Sequence, residues 1–252
     1  MSYGFLAKND SNFIQIDDNF PGYAVWLAGT VTVSSTNWYP GSTGPGTSDT
    51  GQPWTIVTLP DGIDPGTLIL AVKPNTQSGT TYIRGVMQHY LDGSTKKSAV
   101  AIAASPGATI QFRVLRKTQD LTAGTGYGLN VFNASSGLVF SSDSGQYRVR
   151  SFHTGNINTR SASYTISLSD LSGIYVVCQN LGQNGQVVRA PTPPAFSSRV
   201  VWNAAEFNYS ANTIRIGVPT EVLTRLNTVV SLSSYDYVNK PNQRKVSLGK
   251  IT

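Results

Sequence analysis

Residues Tyr127 to Val149 read YGLNVFNASSGLVFSSDSGQYRV, and a related phrase, YGFLAKNDSNFIQIDDNFPGYAV, runs from Tyr3 to Val25. The offset is 124 positions throughout: Tyr3 matches Tyr127, Gly4 Gly128, Asn9 Asn133, Ile14 Leu138, Ile16 Phe140, Tyr23 Tyr147 and Val25 Val149. Chance supplies one or two such matches more readily than all of them without a gap. A repeat at a fixed offset changes the whole reading of the fold, so it comes first. Each copy has the pattern of a β-hairpin, two short alternating runs around a polar turn. Asn133-Ala134-Ser135-Ser136-Gly137 carries the turn chemistry of the second copy. A third strand is expected to begin at Tyr23 and again at Tyr147.

Working outward, the first half continues with Trp26 to Val33, then Trp54 to Leu59 ended by Pro60-Asp61-Gly62. Leu68 to Val72 is a continuous apolar strand turned by Lys73-Pro74-Asn75, and Tyr82 to Tyr90 is another strand. Val100 to Ala104 is ambiguous in period, whereas Thr109 to Leu115 alternates cleanly. The second half replays this order. Tyr164 to Leu168 echoes Trp54 to Thr58, Ile174 to Cys178 echoes Leu70 to Val72, and Thr213 to Val218 echoes Thr109 to Val114. The expected fold class is all-β. Two tandem β-sandwich domains from an internal duplication would occupy 1–120 and 121–220, joined near Thr118 to Gly126. Residues 221–252 would form a C-terminal extension or arm. Within that extension Glu221 to Leu226 has room for one or two helical turns, too short to stand alone.

Composition narrows the function classes. Glycine is abundant, charge is sparse, and Glu206 and Glu221 are the only glutamates, so helix-forming residues are few. The single cysteine, Cys178, excludes an intramolecular disulfide framework. The net charge is +6, but the bases are scattered, with small groups at Arg113/Arg116/Lys117 and Arg244/Lys245. That distribution proposes no nucleic-acid partner. No apolar run is long enough for a membrane-spanning helix, and the N-terminus has no basic region followed by an apolar core.

No catalytic constellation emerges. His89 and His153 are far apart in sequence and read as ordinary strand-end or surface residues. The acidic pair Asp17-Asp18 points to opposite faces of an extended chain, and its counterparts are Ser141 and Ser142. There is no G-x-S-x-G, no P-loop and no dinucleotide fingerprint. The expectation is a non-enzyme without cofactor or metal. The candidate contact residues are aromatic and basic: Trp38 and Tyr39 in a long Pro/Gly loop, Trp54 beyond it, and Tyr235, Tyr237 and Arg244 in the polar tail.

The phrase Tyr127 to Ser142, with the strand Ile110 to Val114 before it, resembles small tail proteins of tailed bacteriophages. Those proteins likewise open with the Tyr-Gly phrase directly after the start methionine, as Ser2-Tyr3-Gly4-Phe5 does here. The resemblance covers roughly the first 150 positions and fades beyond Pro219. This chain departs from it at Asn12-Phe13 and at Ser141, where Asp is usual. The resemblance implies a virion component assembled in the host cytoplasm: a structural part of a tail tip, baseplate or fibre-attachment region that contributes to host attachment. The implied partners are further copies of the chain, with a trimer preferred because tail fibres and tips are commonly three-fold, and other tail proteins. The alternative is a receptor- or carbohydrate-binding module of a fibre, touching a host surface glycan. A glycan-degrading enzyme ranks last.

Overall fold

The computed structural model describes residues 6–8, 14–17, 22–33, 54–92, 95–122, 128–157, 163–177, 183–189, 196–229 and 242–251. Apart from two one-turn 3₁₀ segments, Pro65–Thr67 and Thr118–Asp120, all their regular structure is β. The first half contributes β1 (Leu6–Lys8), β2 (Ile14–Asp17), β3 (Tyr23–Thr32), β4 (Trp54–Thr58), β5 (Ile69–Pro74), β6 (Thr80–Asp92), β7 (Thr95–Ala104) and β8 (Thr109–Lys117). The second contributes β9 (Asn130–Phe132), β10 (Leu138–Ser141), β11 (Tyr147–Ile157), β12 (Tyr164–Ser167), β13 (Tyr175–Val177), β14 (Gln183–Arg189), β15 (Phe196–Asn208), β16 (Thr213–Val229) and β17 (Asn242–Ile251).

Two small hairpins, β1–β2 and β9–β10, stand apart from two large antiparallel sheets. One large sheet has the order β11-β17-β13-β5-β8-β3; the other has the order β12-β16-β15-β6-β7-β4, with β14 also on β15. Each sheet therefore takes strands from both halves. Outward from the β5/β13 seam, one side reads β5, β8, β3 and the other β13, β17, β11. Outward from the β6/β15 seam, the sides read β6, β7, β4 and β15, β16, β12. The expected boundaries near 120 and 220 divide the chain but not the sheets. A half standing alone would leave β5 and β6 as open edges, with unpaired backbone beside the apolar run Leu70-Ala71-Val72. Pairing Val72 with Val176 and Ile83 with Ala205 closes those edges.

Register repeats along with strand order. In the first hairpin Leu6 pairs with Asp17, Ala7 with Ile16 and Lys8 with Ile14. In the second, Asn130 pairs with Ser141, Val131 with Phe140 and Phe132 with Leu138. All three pairs, and the irregularity between the last two, are displaced by the 124 positions seen in sequence. The offset carries into the large sheet. β3 breaks register against β8 between Val25 and Leu27, and β11 breaks register against β17 between Val149 and Ser151.

Two of the sequence echoes are corrected. Hydrogen bonds and side-chain facing align Val57, not Ile56, with Ile166. Val57 pairs with Val100 and Ile166 with Ile214, and Leu59 and Leu168 donate equivalent backbone bonds to the carbonyls of Ser98 and Asn212. The letters Thr-Ile match one residue out of step, and a one-residue slip would turn the core face outward. The strand beginning at Thr213 occupies the place of β7 rather than that of β8. The place of β8 is taken by β17.

The supposed arm is largely sheet. Glu221 to Leu226 continues β16, where Thr224, Arg225 and Leu226 pair with Val201, Val200 and Arg199 of β15. A partner strand satisfies this backbone, which an isolated helical turn would not. β17 lies between β11 and β13 with Leu248 fully buried. The feature without a first-half counterpart is instead β14, with the ends of β15 and β16 beside it.

The main core lies between the sheets. Alternate residues of β8, namely Ile110, Phe112 and Val114, join Leu70, Val72, Ile102, Phe207, Ile214 and Leu248 there. The opposite face of the six-stranded sheet carries a second cluster around Ala71, Leu115 and Tyr175, with Tyr23, Val25, Ile69, Tyr147 and Val177 against it. That face is sheltered because the sheet curls until its edges meet. Ala24 bridges to Gln146, and the Val25 N–H donates to the Gly145 carbonyl at 2.8 Å. The expected linker is pinned at this seam. Thr118 is fully buried, its hydroxyl reaching the Val139 carbonyl at 2.8 Å and the Gly22 carbonyl at 3.1 Å.

Candidate functional site

Trp38, Tyr39, Tyr235 and Tyr237 lie outside the described residues. Trp54 opens β4 opposite Ala103, and Arg244 sits in β17 opposite Gly155. These two belong to different sheets, so the backbone does not gather them into one site.

The described residues instead bring together a polar group on the curled face of the six-stranded sheet. Ile69, Ala71 and Lys73 point to this face from β5, because Leu70 and Val72 point into the main core. Gln111, Arg113 and Leu115 share it on β8, where Lys73 pairs with Gln111 and Ala71 with Arg113. Lys73 and Arg113 are therefore diagonal neighbours across two strands. From β13, Tyr175 brings its ring within reach of both. The Lys73 Nζ is 5.1 Å from the ring centroid and the Arg113 Cζ 5.6 Å. Both distances fall within the range where a cation is attracted to an aromatic face.

A hydrogen-bonded chain fixes the tyrosine. Its hydroxyl donates to Gln111 Oε1 at 3.1 Å, and Gln111 Nε2 donates to Asn75 Oδ1 at 2.6 Å. Asn75 is itself held by its N–H on the Thr109 carbonyl at 2.9 Å. Lys73 is only 8 % exposed. Burial, and then the positive charge of Arg113, push its pKa below the ordinary lysine value. Burial pushes the Tyr175 phenol up, with Arg113 partly opposing. Among the described residues no carboxylate pairs with either cation. Two cations share one ring, and among the described residues no carboxylate balances them there.

Further along the same face lies a cavity of ≈ 420 Å³ lined by Tyr23, Thr67, Ile69, Lys117, Gln119 and Asp120 among others. Its volume falls within the range of small-molecule sites. The 3₁₀ turn at its rim is capped by Asp64, whose carboxylate accepts the Gly66 N–H at 2.9 Å. A second polar group occupies the other sheet, on the face away from the core. There Arg215 donates to the nearly buried Glu206, and burial, then Glu206, raises the pKa of Tyr82. The pair balances its own charge, while the buried Arg215 Nε has no hydrogen-bond partner among the described residues. Among the described residues no three His, Cys, Asp or Glu side chains gather as a metal would require.

No family model, curated protein or solved structure matches the chain. The residues of the Lys73 group carry little signal in sequence. Lys73 reads as the start of a turn after an apolar strand, and Arg113 as one of a small group of three bases. Tyr175 is one aromatic in a buried run. Only the alternation of Gln111 and Arg113 along β8 marks a polar stripe. The strand pairings that bring Tyr175 to it are non-local.

Proposed function

We propose that the chain is a structural, non-catalytic subunit of a bacteriophage tail tip, baseplate or fibre-attachment region, acting as a homo-oligomer beside other tail proteins. The observation that carries this reading is the Tyr-Gly phrase. The residues that resemble phage tail proteins form a hairpin, β9–β10, that stands outside the large sheets. Asn133 Oδ1 accepts the N–H groups of Ser135 at 3.0 Å and Gly137 at 2.7 Å, locking the turn. Leu129 and Phe132 on this hairpin are each 50 % exposed, so it presents apolar side chains outward. Quantitative mass spectrometry of purified virions, with gold-labelled antibody against the chain, tests the reading. A stoichiometric component at the distal tail is expected, and absence from the particle would remove the proposal. Light scattering of the full chain tests self-association, with a trimer expected.

The repeated strand order and registers also support descent from a duplicated unit. A crystal structure in which β1–β2 failed to superpose on β9–β10 when the halves were aligned would count against that descent. A second reading, a glycan- or receptor-binding module, is favoured by the cavity between Tyr23, Lys117 and Asp120. Binding on a glycan array that is lost in Lys117→Met and Asp120→Asn would support it.

A further inference from the structure

We propose that Lys73 and Arg113 form a binding site for a single oxyanionic group, a carboxylate or a phosphate, seated against the Tyr175 ring. The inference stands apart from the tail reading, since it rests on side-chain geometry alone. Three observations carry it. Two cations converge on one aromatic ring from adjacent strands, at 5.1 and 5.6 Å from its centroid. One of them, Lys73, is more than nine-tenths buried with no hydrogen bond or carboxylate partner among the described residues. The ring beside both is held in place by the Tyr175–Gln111–Asn75 chain, so the site is organised before anything binds.

A like charge beside a buried ammonium is costly unless something compensates it, and here Lys73 is buried and Arg113 partly so. The cation–π contacts compensate in part. An oxyanion would compensate more fully, since the guanidinium keeps donors beyond the one that Nη1 gives to the Phe112 carbonyl at 2.8 Å, and the ammonium offers three more. The repeat makes the same point from the other side. By register, Arg113 corresponds to Ser247 and Tyr175 to Ile69. The second half therefore builds the same sheet without this group, so the fold does not require the two cations.

The test is a titration of the full chain with sodium phosphate and, separately, sodium acetate, each against sodium chloride at matched ionic strength. Backbone and side-chain NMR shifts locate the response and require no variant. A saturable shift centred on Lys73, Arg113 and Tyr175 is expected, and whichever anion produces it identifies the headgroup. Lys73→Met and Arg113→Gln are each expected to weaken binding roughly 10- to 100-fold, the value of one charge-assisted hydrogen bond. Arg116→Gln, whose guanidinium stacks on Trp26 instead, should leave it unchanged. No saturable response to either anion, or a response spread evenly over the surface cations, would overturn the proposal. So would Lys73→Met and Arg113→Gln variants that bind as tightly as the parent.

Discussion

The two halves share a backbone and differ in what they hang on it. Strand for strand, β1 to β8 correspond to β9 to β13 and β15 to β17, down to the position of the register break after Val25 and after Val149. The side chains match less closely. Gly85 occupies the place of Ala205, Met87 that of Phe207, and Arg113 that of Ser247. Hydrogen-bond register cannot change by a single residue without turning a core face to water, whereas a side chain can be exchanged if volume is kept nearby. The backbone match therefore reports on folding. The positions where the halves differ, the Lys73 group and the β14 extension, are where function has room to act.

The largest expected effect separates Met87 from Phe207. Phe207 is fully buried in the shared core and stacks on Tyr209 with ring centroids 6.2 Å apart. Phe207→Ala should cost about 3–5 kcal/mol in urea unfolding. Met87→Ala should cost roughly 1–2 kcal/mol, because that side chain is only partly buried. Equal costs would mean that the equivalent positions do not pack unequally, as described.

Next comes the face-to-face packing of the two sheets. A Cβ on Gly85 would lie 2.6 Å from Leu70 Cδ2 and 3.2 Å from Val72 Cγ1, the strand opposite in the other sheet. Gly85→Val should destabilise by about 1–3 kcal/mol through overpacking. Ala205→Gly, at the equivalent place, removes only a methyl and some backbone restraint, so it should cost about 1 kcal/mol. Thermal melts of the two variants would reverse in order if the two sheets were loosely packed at this point.

Thr118 has a smaller role, at the second hairpin. Thr118→Val keeps the shape but leaves the Val139 carbonyl without its hydroxyl donor, at a cost of about 1–2 kcal/mol. Protection of β9–β10 amides should fall before that of the large sheets. Uniform loss of protection would show that the hairpin has no separate attachment.

The smallest effect is alkaline. The Tyr209 hydroxyl is buried with no hydrogen-bond partner among the described residues, and burial pushes its pKa up to about 12. The unfolded phenol ionises near pH 10, so unfolding releases a proton between about pH 10 and 12. The stability tied to the neutral phenol is full below pH 10 and is lost as pH rises through 12. Tyr209→Phe should be neutral or stabilising by up to about 1 kcal/mol at pH 8, and should flatten the decline above pH 10. Urea midpoints at pH 8, 10 and 11 for both proteins provide the check.

Legibility followed distance along the chain. The second hairpin could be read because its turn is local, with Asn133 capping N–H groups two and four residues on. β7 was ambiguous because Ala99, Ala101 and Ala103 are buried on one face and Val100, Ile102 and Ala104 on the other. A strand buried on both sides shows no period. The seams left no local trace: Val72 meets Val176 across a long stretch of chain, and nothing near either residue announces the other. β17 was hidden for the same reason, since its two neighbours, not its composition, make it a strand. The Lys73 group depends on both failures, because its tyrosine arrives through a seam.

Hydrogen exchange at the seams tests the central claim most directly, namely that both halves build the same two sheets. Amides of β5, β6, β13 and β15 that point into the β5/β13 and β6/β15 pairings should be among the slowest in the chain. They should be lost only with global unfolding, in one transition common to both halves. Fast exchange at those amides, with the two halves unfolding in separate transitions, would show two independent sandwiches and contradict the shared sheets.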